Sequence, residues 1–210
     1  MEESSNLPVL LFLHGASKSG DSFEDLEKLR TAVIPKYIEG GQWGDLPFLV
    51  ICPQVYDGWH PDNIMLALRL IKQYEDNADL SRLYITGQSM GGGGIWRYLL
   101  QSKQVADEFA AAIVVCGAAS PPDAQPKNGN GMVLSNLPVW AFHNDKDNTI
   151  PMNFSKGWVD LNNKGGITPQ SKLTILDNTG HDAWTAAFNP DKSSPNYVYD
   201  WLLSYTNKRA

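Results

Sequence analysis

Short apolar runs alternate along this chain with longer stretches in which apolar residues recur every three or four positions. The runs Val9–Leu13, Phe48–Cys52, Leu83–Thr86, Ala111–Cys116, Val139–Phe142 and Leu173–Leu176 barely alternate in polarity. That is the pattern of parallel strands covered on both faces. Between them the spacing predicts helices. Asp21 and Glu24 have capping-box spacing ahead of a helix over Phe23–Ile38. Pro61, tolerated in a first helical turn, opens a helix over Asp62–Tyr74 with Ile64, Leu68 and Ile71 on one face. A third helix follows Ser89 and includes Ile95–Leu100, a fourth covers Asn153–Asn163 and stops at Gly165-Gly166, and a last one runs Pro195–Tyr205. This alternation predicts an α/β fold, a doubly wound and mostly parallel sheet of about six strands in one domain spanning residues 1–210. The segment Ser120–Asn136 differs, holding Pro121, Pro122, Pro126 and Asn128-Gly129-Asn130-Gly131 without helical period. It reads as a polar surface excursion, too polar for a hydrophobic lid, and no lid domain is expected.

In an open parallel sheet, chemistry gathers beyond the carboxyl ends of the strands. The residues just past the predicted strand ends are therefore the informative ones. The first strand ends in His14-Gly15-Ala16-Ser17 and the third in Gly87-Gln88-Ser89-Met90-Gly91. The fifth ends in His143-Asn144-Asp145-Lys146-Asp147 and the sixth in Asp177-Asn178-Thr179-Gly180-His181. A serine between glycines at a strand-to-helix turn presents its hydroxyl above the sheet. Its hydroxyl becomes a useful nucleophile only when a neutral imidazole takes its proton and a carboxylate fixes the imidazole's tautomer. Ser89 is the expected nucleophile and His181 the expected base. Asp145 and Asp147 both qualify as the acid. Asp147 is preferred because Asn148-Thr149-Ile150-Pro151 follows it and turns the chain back, while Asp145 suits a loop carboxylate bonded to nearby amides. The oxyanion of such a reaction needs two preorganised N–H donors, and Met90 and Ala16 are expected to supply them. His14 is expected to shape that loop rather than transfer a proton.

Composition narrows the alternatives. A net charge of −6, with no basic stripe or tail, argues against nucleic acid as a partner. No apolar run approaches the ~20 residues of a membrane span, so no membrane partner is expected. Met1-Glu2-Glu3-Ser4-Ser5-Asn6 is acidic and polar, so the sequence as written carries no secretory signal and reads as cytoplasmic. Cys52 and Cys116 each end an apolar run and read as buried free thiols. No cofactor and no metal site are expected: the histidines are scattered, and Asp145-Lys146-Asp147 lacks the later glycine and glutamate of a calcium loop.

Several segments together carry a family resemblance. They are Val9-Leu10-Leu11-Phe12-Leu13-His14-Gly15, Cys52-Pro53-Gln54, Gly87-Gln88-Ser89-Met90-Gly91-Gly92, Val139-Trp140-Ala141-Phe142-His143, Gly180-His181-Asp182-Ala183-Trp184 and Tyr199-Asp200-Trp201-Leu202-Leu203. In this order they resemble the prolyl-oligopeptidase-like "predicted peptidase" and carboxylesterase branch of the α/β-hydrolases, related to polyhydroxybutyrate depolymerase-type and feruloyl esterase-type enzymes. The resemblance implies the α/β-hydrolase fold, Ser89, Asp147 and His181 as a catalytic triad, and Trp59 and Trp184 at the border of a substrate cleft. It implies a serine esterase acting on a small-molecule ester, with a serine peptidase or a polyester or feruloyl esterase as alternatives and a non-catalytic binding module as the remotest. The chain departs from the family at Asn144, where glycine is usual, and in the glycine run Gly91–Gly94. Relatives also carry a hairpin and often a signal peptide before the first strand, and the sequence as written lacks both. Phe48–Cys52 is therefore expected at an exposed sheet edge, inviting a homodimer, and a secreted or periplasmic location follows if the N-terminus is truncated.

Overall fold

The computed structural model describes residues 6–121, 137–164 and 168–207. Six strands form one all-parallel sheet: β1 (Leu7–Leu13), β2 (Leu49–Ile51), β3 (Ala78–Gln88), β4 (Ala111–Val115), β5 (Val139–Lys146) and β6 (Lys172–Thr179), in the order β2-β1-β3-β4-β5-β6. The helices are α1 (Glu27–Arg30), α2 (Val33–Glu39), α3 (Pro61–Tyr74), α4 (Met90–Leu99), α5 (Lys103–Ala106), α6 (Asn153–Lys164), α7 (Trp184–Ala187) and α8 (Tyr199–Leu203). Alternate residues of each central strand feed two cores. Val9, Leu11, Leu13, Ile85 and Val114 meet α3, α4 and α6 on one face. Leu10, Phe12, Tyr84, Ile113 and Val115 meet α2, α7 and α8 on the other. Burial on both faces explains the unbroken apolar runs. On α3, Ile64, Leu68 and Ile71 are buried as their spacing predicts, each worth about 1.5–3 kcal/mol on removal from water.

The chain runs from β1 outward to β2, then crosses back to β3 on the other side of β1. The connections thus diverge between β1 and β3, the switch point at which open α/β sheets hold their ligands. β2 lies at the sheet edge, as expected of Phe48–Cys52, and pairs only with β1 among the described residues.

Three expected element boundaries are corrected. The stretch Phe23–Ile38 is not one helix: a 3₁₀ turn over Glu24–Leu26 leads into α1, Ala32 is extended (φ −71°, ψ 152°), and α2 then begins. Pro35 explains the break, because its ring would strike the carbonyl of Thr31 in a continuous helix. The local cap is Ser22 Oγ, accepting from Asp25 N at 3.2 Å, with Asp25 Oδ2 accepting from Asp21 N at 3.3 Å, rather than an Asp21–Glu24 pair. The last helix is only Tyr199–Leu203, since the residues before it form turns in which Ser194 N reaches Asp191 O and Tyr197 N reaches Ser194 O. β3 is longer than expected, starting at Ala78, because Asp79 bonds Ser81 and Arg82 and carries an irregularity that the apolar pattern hides. The expected excursion Ser120–Asn136 and the stop at Gly165-Gly166 fall largely or wholly outside the described residues.

The glycine run has a packing reason. A Cβ on Gly91 would overlap Leu13 O, and one on Gly94 would overlap Trp59 Cβ; at Gly92 and Gly93 it would crowd the backbone of Gly117 and Ala118 at 2.9 and 2.6 Å. Helix α4 therefore presses on the ends of β1 and β4 with no space for side chains. Helix propensity alone would make Gly94→Ala stabilising by about 1 kcal/mol. The overlap with Trp59 predicts the opposite, a loss of about 1–3 kcal/mol. Urea denaturation measures the sign, and a Gly94→Ala protein as stable as the parent contradicts this close approach.

Candidate active site

Ser89 stands between the last residue of β3 and the first of α4, in a backbone conformation (φ 52°, ψ −118°) that L-residues seldom adopt. Its N–H donates to Val115 O at 2.9 Å, and its carbonyl accepts from Gly93 N and Ala118 N, each at 2.9 Å. Strand β4, its following loop and α4 thus hold the turn from three sides. Residues so held in a sparsely populated region store about 1–3 kcal/mol each and persist only where the surroundings fix them.

The side chains that the sequence singled out converge on this turn. Ser89 Oγ is 2.8 Å from His181 Nε2, and His181 Nδ1 is 2.7 Å from Asp147 Oδ2. The Asp147 side chain is fully enclosed. Burial works against its charge, but the hydrogen bond from His181 and those from Ile150 N (3.0 Å) and Thr149 N (2.8 Å) outweigh it and hold the carboxyl below the usual carboxylate range. An ionised Asp147 accepts, so His181 carries its proton on Nδ1 and leaves Nε2 free to accept from the serine hydroxyl. Asp145 faces elsewhere: it is exposed and its Oδ1 accepts from Asn178 N at 3.0 Å. Asn144, the departure from the family pattern, is fully buried and its Nδ2 donates to Gly180 O at 2.8 Å. It ties the acid's strand to the residue before His181, a link that glycine could not make.

Each of the two expected donors opens a helical turn. Met90 is the first residue of α4, and Ala16 the first of a 3₁₀ turn over Ala16–Lys18. Helix-opening N–H groups have no acceptor within their own helix. Leu13 pairs with Gly87, so the loop after β1 lies beside the serine turn. His14 organises that loop. It is fully buried, its Nε2 accepts from Val55 N at 3.1 Å, and Nδ1 therefore donates to Gly15 O at 2.9 Å. Burial lowers its pKa against the opposing effect of the Gly15 carbonyl, which keeps it neutral.

Trp59 departs from its expected place at the cleft border. It is 3% exposed, its Nε1 donates to His14 O at 2.9 Å, and its ring packs on the His14 ring at 5.0 Å. Trapped between Gly94 and His14, it braces the loop after β1. Trp184 does border the constellation, with its ring perpendicular to His181 at 5.3 Å. Sequence reasoning missed His143 and Ser155. His143 is fully buried, with Nε2 3.2 Å from Asp147 Oδ2 and Nδ1 2.8 Å from Ser155 Oγ. Its spacing of four residues from Asp147 was the available signal.

Cys116 lies beneath the site with φ 39°, and its Sγ reaches His181 O at 3.5 Å. Cys116, Asp147 and His181 bring potential metal-ligand atoms within 4.8 Å of one another. Burial pushes the Cys116 thiol up to about 12, however, and both Asp147 oxygens are already engaged. The trio reads as packing around a hydrogen-bonded chain rather than as a set of ligands. Cys52 is likewise a free thiol pushed up to about 12 by burial.

No protein-family model matches this chain, and no curated protein matches it. Many solved structures do. A thermostable esterase is 23% identical with a TM-score of 0.66, over 96% of this chain and 56% of that one. The fluorophosphonate-binding serine hydrolase F of Staphylococcus aureus, in a substrate-bound structure, is 15% identical with a TM-score of 0.67, over 95% of this chain and 84% of that one. The acylaminoacyl peptidase of Pyrococcus horikoshii is 18% identical with a TM-score of 0.58, over 96% of this chain but 36% of that one. This chain thus spans little more than half of the esterase and about a third of the peptidase. The parallel sheet with its switch point between β1 and β3, and the agreement with these structures, establish that the chain has the α/β-hydrolase fold.

Proposed function

We propose that this protein is a serine carboxylic-ester hydrolase that works through an acyl-enzyme on Ser89. The observation that carries the reading is the unbroken chain Ser89 Oγ–His181 Nε2 (2.8 Å) and His181 Nδ1–Asp147 Oδ2 (2.7 Å), ending on a serine held at a strained turn. In this reading His181 takes the hydroxyl proton as Ser89 Oγ attacks the ester carbonyl carbon. The carbonyl oxygen becomes an oxyanion, which accepts from the N–H groups of Met90 and Ala16. Collapse breaks the bond to the alcohol oxygen, and His181 returns its proton to that leaving group. Water, activated by the same imidazole, then attacks the acyl-enzyme, and the acid departs with Ser89 regenerated. Asp147 stabilises the imidazolium in both halves without taking the proton.

Esterases among the similar structures favour an ester over a peptide substrate, since an alcohol leaves more readily than an amine. The peptidase similarity keeps amide cleavage as the second reading. The polar composition of Ser120–Asn136 and the aromatic ring of Trp184 against His181 favour short, soluble or aryl acyl esters. Among the described residues no helix is long and apolar enough to cross a membrane. The open edge of β2 supports pairing with a second copy of the chain.

Ser89→Ala is expected to keep the fold and lose at least ~10³-fold in hydrolysis of a short aryl ester, because triad members act as a unit. A fluorophosphonate should label the parent but not this variant; an unlabelled parent leaves the binding-module alternative. Asp147→Asn should lose a comparable factor, while Asp145→Asn stays within about tenfold of the parent. Equal losses in the two variants misplace the acid. Activity should fall with acyl length, and a jump above the solubility limit of a long-chain ester contradicts the specificity. Sedimentation should show a dimer; a monomer whose Leu49–Ile51 amides exchange as slowly as Leu83–Ile85 rules out pairing at the β2 edge.

A further inference from the structure

Asp147 serves two imidazoles, and only one of them belongs to the reaction proposed above. His143 Nε2 lies 3.2 Å from Asp147 Oδ2 and 2.9 Å from Ile150 O, and its Nδ1 lies 2.8 Å from Ser155 Oγ. The side chains of His143 and Asp147 are both fully enclosed, and Ser155 is buried. The proton on His143 can be placed from its partners. Ile150 O is a carbonyl and only accepts, and the ionised Asp147 only accepts. Nε2 therefore carries the hydrogen and donates it to Ile150 O, with Asp147 Oδ2 3.2 Å from the same nitrogen. Nδ1 is left as an acceptor for the Ser155 hydroxyl. Burial lowers the pKa of His143, outweighing the Ile150 carbonyl and the Asp147 charge, so the ring stays neutral.

We propose that His143 is a positioning residue, a second imidazole that, oriented by Ser155, packs its Nε2 edge against the Asp147 carboxylate, holds it in place and offsets part of its charge. The proposal rests on the triad reading of the preceding subsection. Both oxygens of Asp147 are then engaged: Oδ1 accepts from Thr149 N at 2.8 Å and Ile150 N at 3.0 Å, and Oδ2 from His181 at 2.7 Å, with His143 Nε2 against Oδ2 at 3.2 Å. A carboxylate bonded at both oxygens and backed by an imidazole cannot rotate freely about its Cβ–Cγ bond, so Oδ2 stays in line with His181 Nδ1. The positive N–H end of His143 beside Oδ2 offsets part of its charge, and this fixes the sign of a pH effect. Without His143, more negative charge faces His181, the imidazolium is held more firmly, and the base is lost to protonation at higher pH. The other titratable groups packed around the pair are poor substitutes. Cys116 is a neutral buried thiol, and Asp182, beside His181, is exposed and bonded to Thr185 N and Oγ1 at 2.9 and 2.8 Å.

Two variants separate positioning from packing. His143→Asn keeps an acceptor for Ser155 but has no donor long enough for Asp147, whereas His143→Gln extends an N–H to the place of Nε2. The expected result for His143→Asn is a fall of about 10- to 100-fold in kcat with KM little changed. The acidic limb of its kcat/KM profile should move up by about 0.5–1 pH unit, the scale of one weak hydrogen bond to a charge, and His143→Gln should restore both. Imidazole ¹⁵N spectra of the parent should show His143 neutral with its proton on Nε2, a readout that needs neither activity nor the variants. A parent spectrum with the proton on Nδ1, or losses in both variants with the acidic limb unmoved, overturns the proposal. A parent that neither hydrolyses esters nor labels with a fluorophosphonate instead defeats the triad reading, while the ¹⁵N spectrum still decides the placement of His143.

Discussion

The turn at Ser89 holds its residue in a left-handed conformation (φ 52°), and that state survives because helix α4 packs against β1 and β4 without intervening side chains. Four successive glycines make the contact possible, each facing backbone or the Cβ of Trp59 where a side chain would go. The run sacrifices about 1 kcal/mol of helix propensity per glycine in exchange for that approach. Its effects extend beyond the turn. Contact at Gly91 brings the loop after β1 beside the serine, and contact at Gly94 seats Trp59, which in turn holds His14. The loop carrying Ala16 and the start of α4 at Met90, the donors proposed above, keep their places only while these contacts stand.

Two buried histidines outside the proposed triad do similar work at opposite ends of the site. His14 spends both ring nitrogens on backbone, joining Val55 to Gly15, and so stiffens the loop that carries Ala16. His143 spends its own on Ser155 and Ile150, with Asp147 Oδ2 at 3.2 Å, and so stiffens the loop that carries Asp147. In both cases burial keeps the ring neutral, and a neutral ring with one donor and one acceptor enforces a direction that a charged one would not. Asn144 adds a third brace through Gly180. The constellation is thus braced at Ala16, at Asp147 and at His181, and the proposed reaction would draw on that stiffness as electrostatic preorganisation.

The strands were legible in the sequence because burial on both faces leaves an unbroken apolar run, and the meeting of Ser89, Asp147 and His181 was legible because each follows such a run. Packing between distant segments was not. Asp21 and Glu24 gave a sound local signal for a helix through Phe23–Ile38, but Pro35 four residues after Thr31 overrode it. The glycines of α4 looked costly until the ends of β1 and β4 were seen against them. Trp59 follows a strand end, as cleft residues do, yet its counterpart Gly94 is far along the chain. His143 stood next to the noted departure at Asn144, and its spacing of four residues from Asp147 was the one local sign that its ring turns back to that residue. The excursion after β4, the segment richest in sequence oddities, lies outside the described residues.

The central claim is geometric: a tetrahedral oxygen on Ser89 must meet the N–H groups of both Ala16 and Met90 while His181 stays bonded to Asp147. A crystal structure of the phosphonylated protein tests it most directly. The account predicts phosphorus on Ser89 Oγ, an unchanged left-handed turn, and one phosphoryl oxygen within about 3 Å of both backbone nitrogens. A phosphoryl oxygen pointing away from either donor, or an adduct on another residue, would contradict it.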